Sequence, residues 1–227
     1  MSVGVEAIEG RIRMADGSEV SSLLILPPTA GALLVLAHGA GAGMRHAFME
    51  SIADRLAERS IGTLRYQFPY TEHGSRRPDP EPLLVECVRA AVAAGREAAA
   101  GLPLLAGGKS MGGRMTSRAA ASEALHGVAG LVFLGFPLHV AGRPSTSRAS
   151  HLERVEMPML FIQGTRDALA DLSLLRPVVE RLGARATLHV VEHADHMFHV
   201  PKKSGRTDEQ VLDELADGVV GWWRERS

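Results

Sequence analysis

A chain of 227 residues, 45% hydrophobic and 22% charged, carries enough apolar material for one sizeable core, which excludes global disorder and leads us to expect a single domain over 1–227. Its 25 Lys+Arg stand against 26 Asp+Glu, a formal net charge of −1, so the total lacks the basic excess that binds nucleic acid or an anionic membrane. The one cysteine, Cys87, excludes an intramolecular disulfide and a cysteine-based zinc site, and its neighbours Leu83, Leu84, Val85 and Val88 point to burial on an amphipathic helix. The opening MSVGVEAIEGRIR has no basic start followed by an apolar run, and the apolar stretch 31–37 is far shorter than the ~20 residues of a membrane span. The expectation is a soluble, cytoplasmic protein.

In chain order, residues 5–13 and 20–26, joined around Asp16–Gly17, predict an antiparallel hairpin. Runs rich in Val, Leu and Ile follow at 32–37, 62–68, 103–106, 130–134, 158–163 and 186–191. Several are apolar almost throughout instead of alternating, as strands covered on both faces are. Helical patterns at 46–59, 82–100, 111–124, 172–182 and 207–224 separate them. Pro82 lies in a first turn, where its missing N–H costs little, and Thr207 with Gln210 has the spacing of a capping box. The alternation predicts a three-layer α/β fold: a mostly parallel sheet of about seven strands with helices on both faces. In such sheets ligands bind beyond the carboxyl ends of the strands, so position after a strand is the test for every candidate residue.

The run 103–106 leads into Gly107–Gly108–Lys109–Ser110–Met111–Gly112–Gly113 and then a helix. Gly108 to Gly112 fits G-x-S-x-G, a sharp strand–turn–helix elbow that lifts a serine hydroxyl clear of the sheet, at a helix N-terminus that favours negative charge. The glycines serve close backbone approach and strained dihedrals. A phosphate-binding P-loop needs a glycine five residues before Gly108, where Pro103 stands. The run 158–163 is followed by Gly164–Thr165–Arg166–Asp167, and 186–191 by Glu192–His193–Ala194–Asp195–His196. Serine, acid and histidine thus come in the order of a hydrolytic triad: Ser110 as nucleophile, His196 as general base and acid, Asp167 as its orienting carboxylate. Asp171 and Asp195 compete with Asp167, and His193 and His199 with His196; Asp171 stands where a helix begins and Asp195 beside the histidine.

After 32–37 comes His38–Gly39–Ala40–Gly41–Ala42–Gly43, a loop able to turn backbone N–H groups toward an oxyanion; Ala40 is the candidate first donor and Met111, following the serine, the second. The spacing His193-x-x-His196-x-x-His199 raises a metal site, but Pro201 and the position after a strand favour a loop, and no HExxH is present.

Together HGAGAG, GGKSMGG, GTRD and HADH resemble the α/β-hydrolase superfamily, and more narrowly its small, capless, dienelactone-hydrolase-like members. Phe68–Pro69–Tyr70, Arg76–Arg77–Pro78–Asp79 and Lys202 to Thr207 extend the likeness from about Leu33 to the last helix. The resemblance implies the triad, ester-type hydrolysis and no cofactor or metal, but no substrate. Dienelactone hydrolases use a cysteine nucleophile where Ser110 stands, which argues against dienelactone itself.

Where larger members carry a cap, between Leu134 and Pro158, little more than a short helix fits, so the expectation is an open site. Phe68, Tyr70, Phe136, Leu138 and Met44 are candidate pocket walls, with core packing the alternative; Arg76, Arg77, Lys202 and Lys203 either attract an acidic substrate or are solvated surface. The expected partner is a small ester-like molecule, with neither nucleic acid nor membrane. The alternative is a non-catalytic binding or scaffold protein that keeps the fold.

Overall fold

The computed structural model describes residues 6–99 and 101–227. Eight strands form one sheet: β1 (Ile8–Arg13), β2 (Glu19–Ile25), β3 (Ala32–Ala37), β4 (Ile61–Tyr66), β5 (Leu104–Lys109), β6 (Val128–Leu134), β7 (Met159–Gly164) and β8 (Ala186–Val191). Six helices accompany them: α1 (Ala47–Glu58), α2 (Pro69–Glu72), α3 (Glu81–Ala99), α4 (Met111–Ser122), α5 (Leu172–Leu182) and α6 (Asp208–Arg224). The expected hairpin is β1–β2, although Val5 lies outside the described residues, as does Ala100 at the end of the predicted 82–100 helix. The eighth strand, beyond the about seven expected, is β1; it buries little besides Ile12 and is the least apolar.

The strand order is β1-β2-β4-β3-β5-β6-β7-β8, with β2 antiparallel to both neighbours and β3 to β8 mutually parallel. From β3 the chain first crosses to β4 on one side, then returns past it to β5 on the other. The carboxyl ends of β3 and β5 therefore flank the crevice where connections diverge, the place such sheets offer a ligand.

The unbroken apolar runs are explained by their two covers. Leu33, Val35 and Ala37 of β3 pack on the side of α3, α4 and α5, while Ala32, Leu34 and Leu36 pack on the side of α1 and α6. Cys87 lies in the first of these cores, where burial pushes its thiol pKa up. Thr207 caps α6 reciprocally with Gln210 in the capping box that the spacing predicts. Between β6 and β7 stands a short 3₁₀ helix, Ser147–Arg154, in place of a cap. No helix of the described residues is long and apolar enough to cross a membrane.

One strand runs past its predicted end. The glycines at 107 and 108 read as turn residues, yet β5 continues through them to Lys109. A Cβ on Gly107 would lie 1.9 Å from the carbonyl oxygen of Val132 on β6, so the glycine permits a backbone approach that a side chain forbids. Gly107→Ala is expected to lower unfolding free energy by about 3 kcal/mol or more, since the contact is with backbone and cannot rotate away. Urea denaturation checks this, and a change below about 0.5 kcal/mol would contradict it.

Candidate active site

At the end of β5 the chain turns sharply. Ser110 has φ 52° and ψ −117°, a conformation that L-residues avoid, and it occupies the N-cap position of α4 without capping it through its side chain. The strain is held by backbone on every side. The Ser110 N–H donates to the Leu134 carbonyl at 3.0 Å and its own carbonyl accepts from Arg114 N–H at 3.1 Å. A Cβ on Gly108 would stand 2.4 Å from the Ala37 oxygen, and one on Gly112 2.6 Å from both the Ala37 and His38 oxygens. These two positions admit only glycine without displacement of β3.

Freed from capping, Ser110 Oγ lies 2.8 Å from His196 Nε2, and His196 Nδ1 lies 2.7 Å from Asp167 Oδ2. The carboxylate accepts a hydrogen bond from Nδ1–H, which leaves Nε2 as an acceptor for the serine hydroxyl. The Asp167 side chain is 1% exposed, and its remaining capacity is filled by the Gln163 side-chain amide on Oδ2 and the Leu169 N–H on Oδ1. Of the competing acids, Asp171 caps α5 through Ser173 N–H, and Asp195 accepts from the N–H groups of Met197 and His199. His199 pairs with Asp208, while His193 takes a left-handed φ of 65°. Among the described residues no three His, Cys, Asp or Glu side chains gather as a metal ligand set.

The acid and histidine loops are stitched together by backbone. Thr165 N–H donates to the Val191 carbonyl, Arg166 N–H to the Ala194 carbonyl, and His193 N–H to Thr165 Oγ1. Gly164 lets these loops close, since a Cβ there would sit 2.2 Å from the Ala194 oxygen.

The glycine loop after β3 is fixed by His38, which is fully buried. Its Nδ1–H donates to the Gly39 carbonyl at 2.8 Å and its Nε2 accepts the Phe68 N–H at 3.1 Å. Burial lowers its pKa to about 4, outweighing the Gly39 hydrogen bond, so the ring is neutral at pH 7. His139 repeats the device on the other flank, donating to the Val140 carbonyl and accepting the Asp171 N–H. Ala40 and Met111, the candidate oxyanion donors, carry N–H groups with no protein acceptor among the described residues.

Ser110 and His196 open onto a cavity of about 290 Å³ whose apolar walls are Ala40, Ala42, Phe48, Met49, Leu169 and Met197. This corrects the wall residues expected from sequence. Phe68, Tyr70, Phe136, Leu138 and Met44 are at most 6% exposed and absent from this cavity; the first four belong to the core on the α3 side. They follow strands as wall residues would, but their side chains turn inward. Arg76, Arg77, Lys202 and Lys203 are exposed and outside the cavity lining. Gln163 and His38 escaped the sequence reading as site residues because each sits inside or just after an apolar run, where a polar side chain looks like an exception instead of a partner.

A family model described as an alpha/beta hydrolase domain matches residues 30–224. Among solved structures, a dienelactone hydrolase from Anabaena variabilis is 20% identical over 97% of each chain, with a TM-score of 0.77. An alpha-beta serine hydrolase homologue from Coxiella burnetii is 20% identical over 97% of each chain at 0.74. A lidless serine hydrolase from Xanthomonas campestris is 23% identical over 96% of this chain and 95% of its own, also at 0.74. A capless α/β-hydrolase fold is thus the class that topology defines. The chain belongs to the alpha/beta hydrolase domain family.

The buried His38 gives a pH dependence whose sign is fixed. Between about pH 6.5 and 4 the unfolded chain binds a proton at this residue that the folded chain refuses, so stability falls as pH drops through that window. The loss is on the order of 3 kcal/mol for such a shift. Urea denaturation at pH 7 and 4.5 should show wild type losing more stability than His38→Gln; parallel losses would refute it.

Proposed function

We propose that the protein is a serine hydrolase that cleaves small or medium carboxylic esters or thioesters through an acyl-enzyme. The observation that carries this reading is the continuous chain Ser110 Oγ–His196 Nε2, His196 Nδ1–Asp167, at 2.8 and 2.7 Å, opening onto an apolar cavity. Ser110 attacks the acyl carbon while His196 takes its proton; Asp167 stabilises the resulting imidazolium. The tetrahedral oxyanion is met by the amides of Ala40 and Met111, where α4 also presents the positive end of its dipole. His196 returns the proton to the leaving group, then activates water to release the acid. By accepting a hydrogen bond from Nδ1–H, the Asp167 carboxylate selects the tautomer whose Nε2 faces the Ser110 hydroxyl.

The cavity volume supports a short acyl chain, since about 290 Å³ lies at the low end of ligand sites. Alanine, methionine, phenylalanine and leucine supply its apolar walls, and Lys109 and His46 also reach its lining.

A fluorophosphonate probe is expected to label wild type and to leave Ser110→Ala unlabelled. On p-nitrophenyl esters, Asp167→Asn should lower kcat by roughly 10²- to 10⁴-fold, because an amide favours the wrong imidazole tautomer. Acetyl and butyryl esters should be cleaved with higher kcat/KM than dodecanoyl esters. An unlabelled wild type, inactive on ester and thioester panels yet holding a stable partner in solution, would instead favour a scaffold that retains the fold.

A further inference from the structure

The mechanism leaves a buried charge beside the site unused. Lys109, between the elbow glycine and Ser110, is 5% exposed although it carries an ammonium. Its Nζ donates to the backbone carbonyl of His196 at 2.6 Å, and among the described residues no carboxylate forms an ion pair with it. Phe48 and Phe198, stacked at 5.8 Å, place their ring centres 5.8 and 5.3 Å from Nζ. Gly135, at φ 72°, leaves the space between: a Cβ there would be 3.2 Å from Lys109 Nζ and 3.6 Å from His196 Cε1 and Nδ1. The ammonium is therefore a neighbour of the imidazole as well as a tether for its backbone.

That tether matters because, among the described residues, the His196 backbone has no other hydrogen bond to protein. Its N–H makes no protein hydrogen bond among the described residues, and its carbonyl meets only Lys109. The adjoining loop is turned by His193 and Phe198 at left-handed φ of 65° and 63°, so it does not rest in a relaxed conformation. The cation is costly where it stands. Burial pushes its pKa down to about 8 against the opposing pull of Asp167 and Asp195, so a proton held at pH 7 works against stability. A methionine would fill the same space without that cost.

We propose that Lys109 is a positioning residue for the hydrolytic reaction: from a pocket formed by Phe48, Phe198 and Gly135 it holds the His196 backbone, and so keeps the imidazole at bonding distance from Ser110. The inference rests on the reading of Ser110, His196 and Asp167 as the reacting set. Because Lys109 and Ser110 are adjacent in the chain, the peptide that carries the hydroxyl also fixes its base, and the two move together.

The test compares wild type, K109M, K109Q and K109R in three measurements: p-nitrophenyl butyrate kinetics, urea denaturation, and hydrogen exchange of the amides in 193–199. K109M is expected to unfold at an equal or higher urea concentration, while kcat falls roughly 30- to 100-fold with KM within about twofold, as misplacement of a reacting group gives. Exchange in 193–199 should quicken about tenfold or more, by loss of a closed loop state. K109R keeps a cationic donor and should recover part of kcat; K109Q, too short to reach the carbonyl, should behave as K109M and serves in its place if that variant does not fold. Unchanged kcat and exchange would overturn the proposal, as would a loss of stability with kcat and KM moving together. Exchange does not depend on turnover. If wild type proves inert toward esters and fluorophosphonate, the hydrolase reading fails alone, and faster exchange in K109M still establishes the tether while unchanged exchange removes it.

Discussion

The approach of the β5–α4 turn to the end of β3 is the constraint on which the site depends. Backbone meets backbone there without side chains between: Gly108 and Gly112 lie against the carbonyls of Ala37 and His38. That contact fixes the angle at which α4 leaves the sheet, the dihedrals of Ser110, and the distance between the serine turn and the loop carrying Ala40. A larger residue at either glycine would part β3 from the turn and move Ser110 away from the glycine loop that follows β3. The parallel register of β3 and β5, with Ala37 opposite Gly108, places both loops at one level of the sheet.

Around that contact, mobile-looking loops are secured by polar side chains that each bond on two sides. His38 and His139 each donate from Nδ1 to the carbonyl of the following residue and accept a backbone N–H at Nε2. A neutral imidazole suits this role because it is donor on one side and acceptor on the other, so it can join two loops whose backbone groups are out of register. Asp167 works in the same way from the acid loop, where Gln163 and the Leu169 amide leave its carboxylate little freedom to turn. Buried polar groups of this kind are tolerable only when their bonds are made, which ties the order of the site to the order of the loops.

Most of the architecture was legible because it follows from periodicity. Apolar runs such as 32–37 have no solvent-facing side, and helices between them leave a parallel sheet as the only arrangement. The positions of Ser110, Asp167 and His196 were legible as residues following strands, and the structure brings these three together. The walls of the cavity were not. Phe48 and Met49 come from α1 and Leu169 and Met197 from two loops, so they meet only through tertiary packing, and nothing local separates them from core residues. Phe68 and Phe136 misled for the converse reason: they follow strands but pack with His38 and Phe133 in the interior. Lys109 stands in the sequence only as the variable letter of a motif, since the burial of a lysine side chain has no signature there.

The site gathers features that oppose folding: a serine, a histidine and a phenylalanine with left-handed backbone, and a lysine ammonium without a carboxylate partner. Each such backbone conformation costs on the order of 1–3 kcal/mol, which is comparable in sum to the whole stability of a domain. They persist because the material beneath them is arranged differently. The two cores on either side of β3 to β7 are built mainly of Leu, Val, Ala, Ile and Phe, each at most 9% exposed, packed on hydrogen-bonded parallel strands. Of the four non-glycine residues with positive φ among the described residues, Ser110, His193 and Phe198 lie at the carboxyl edge and only Ser60 at the other, and at the carboxyl edge Ser110 N–H and its neighbours are anchored back into β6 and β7. This division explains why the hydroxyl, imidazole and carboxylate can stand in a conformation they would not adopt alone: the sheet supplies the rigidity, and the edge uses it to hold the three groups in line.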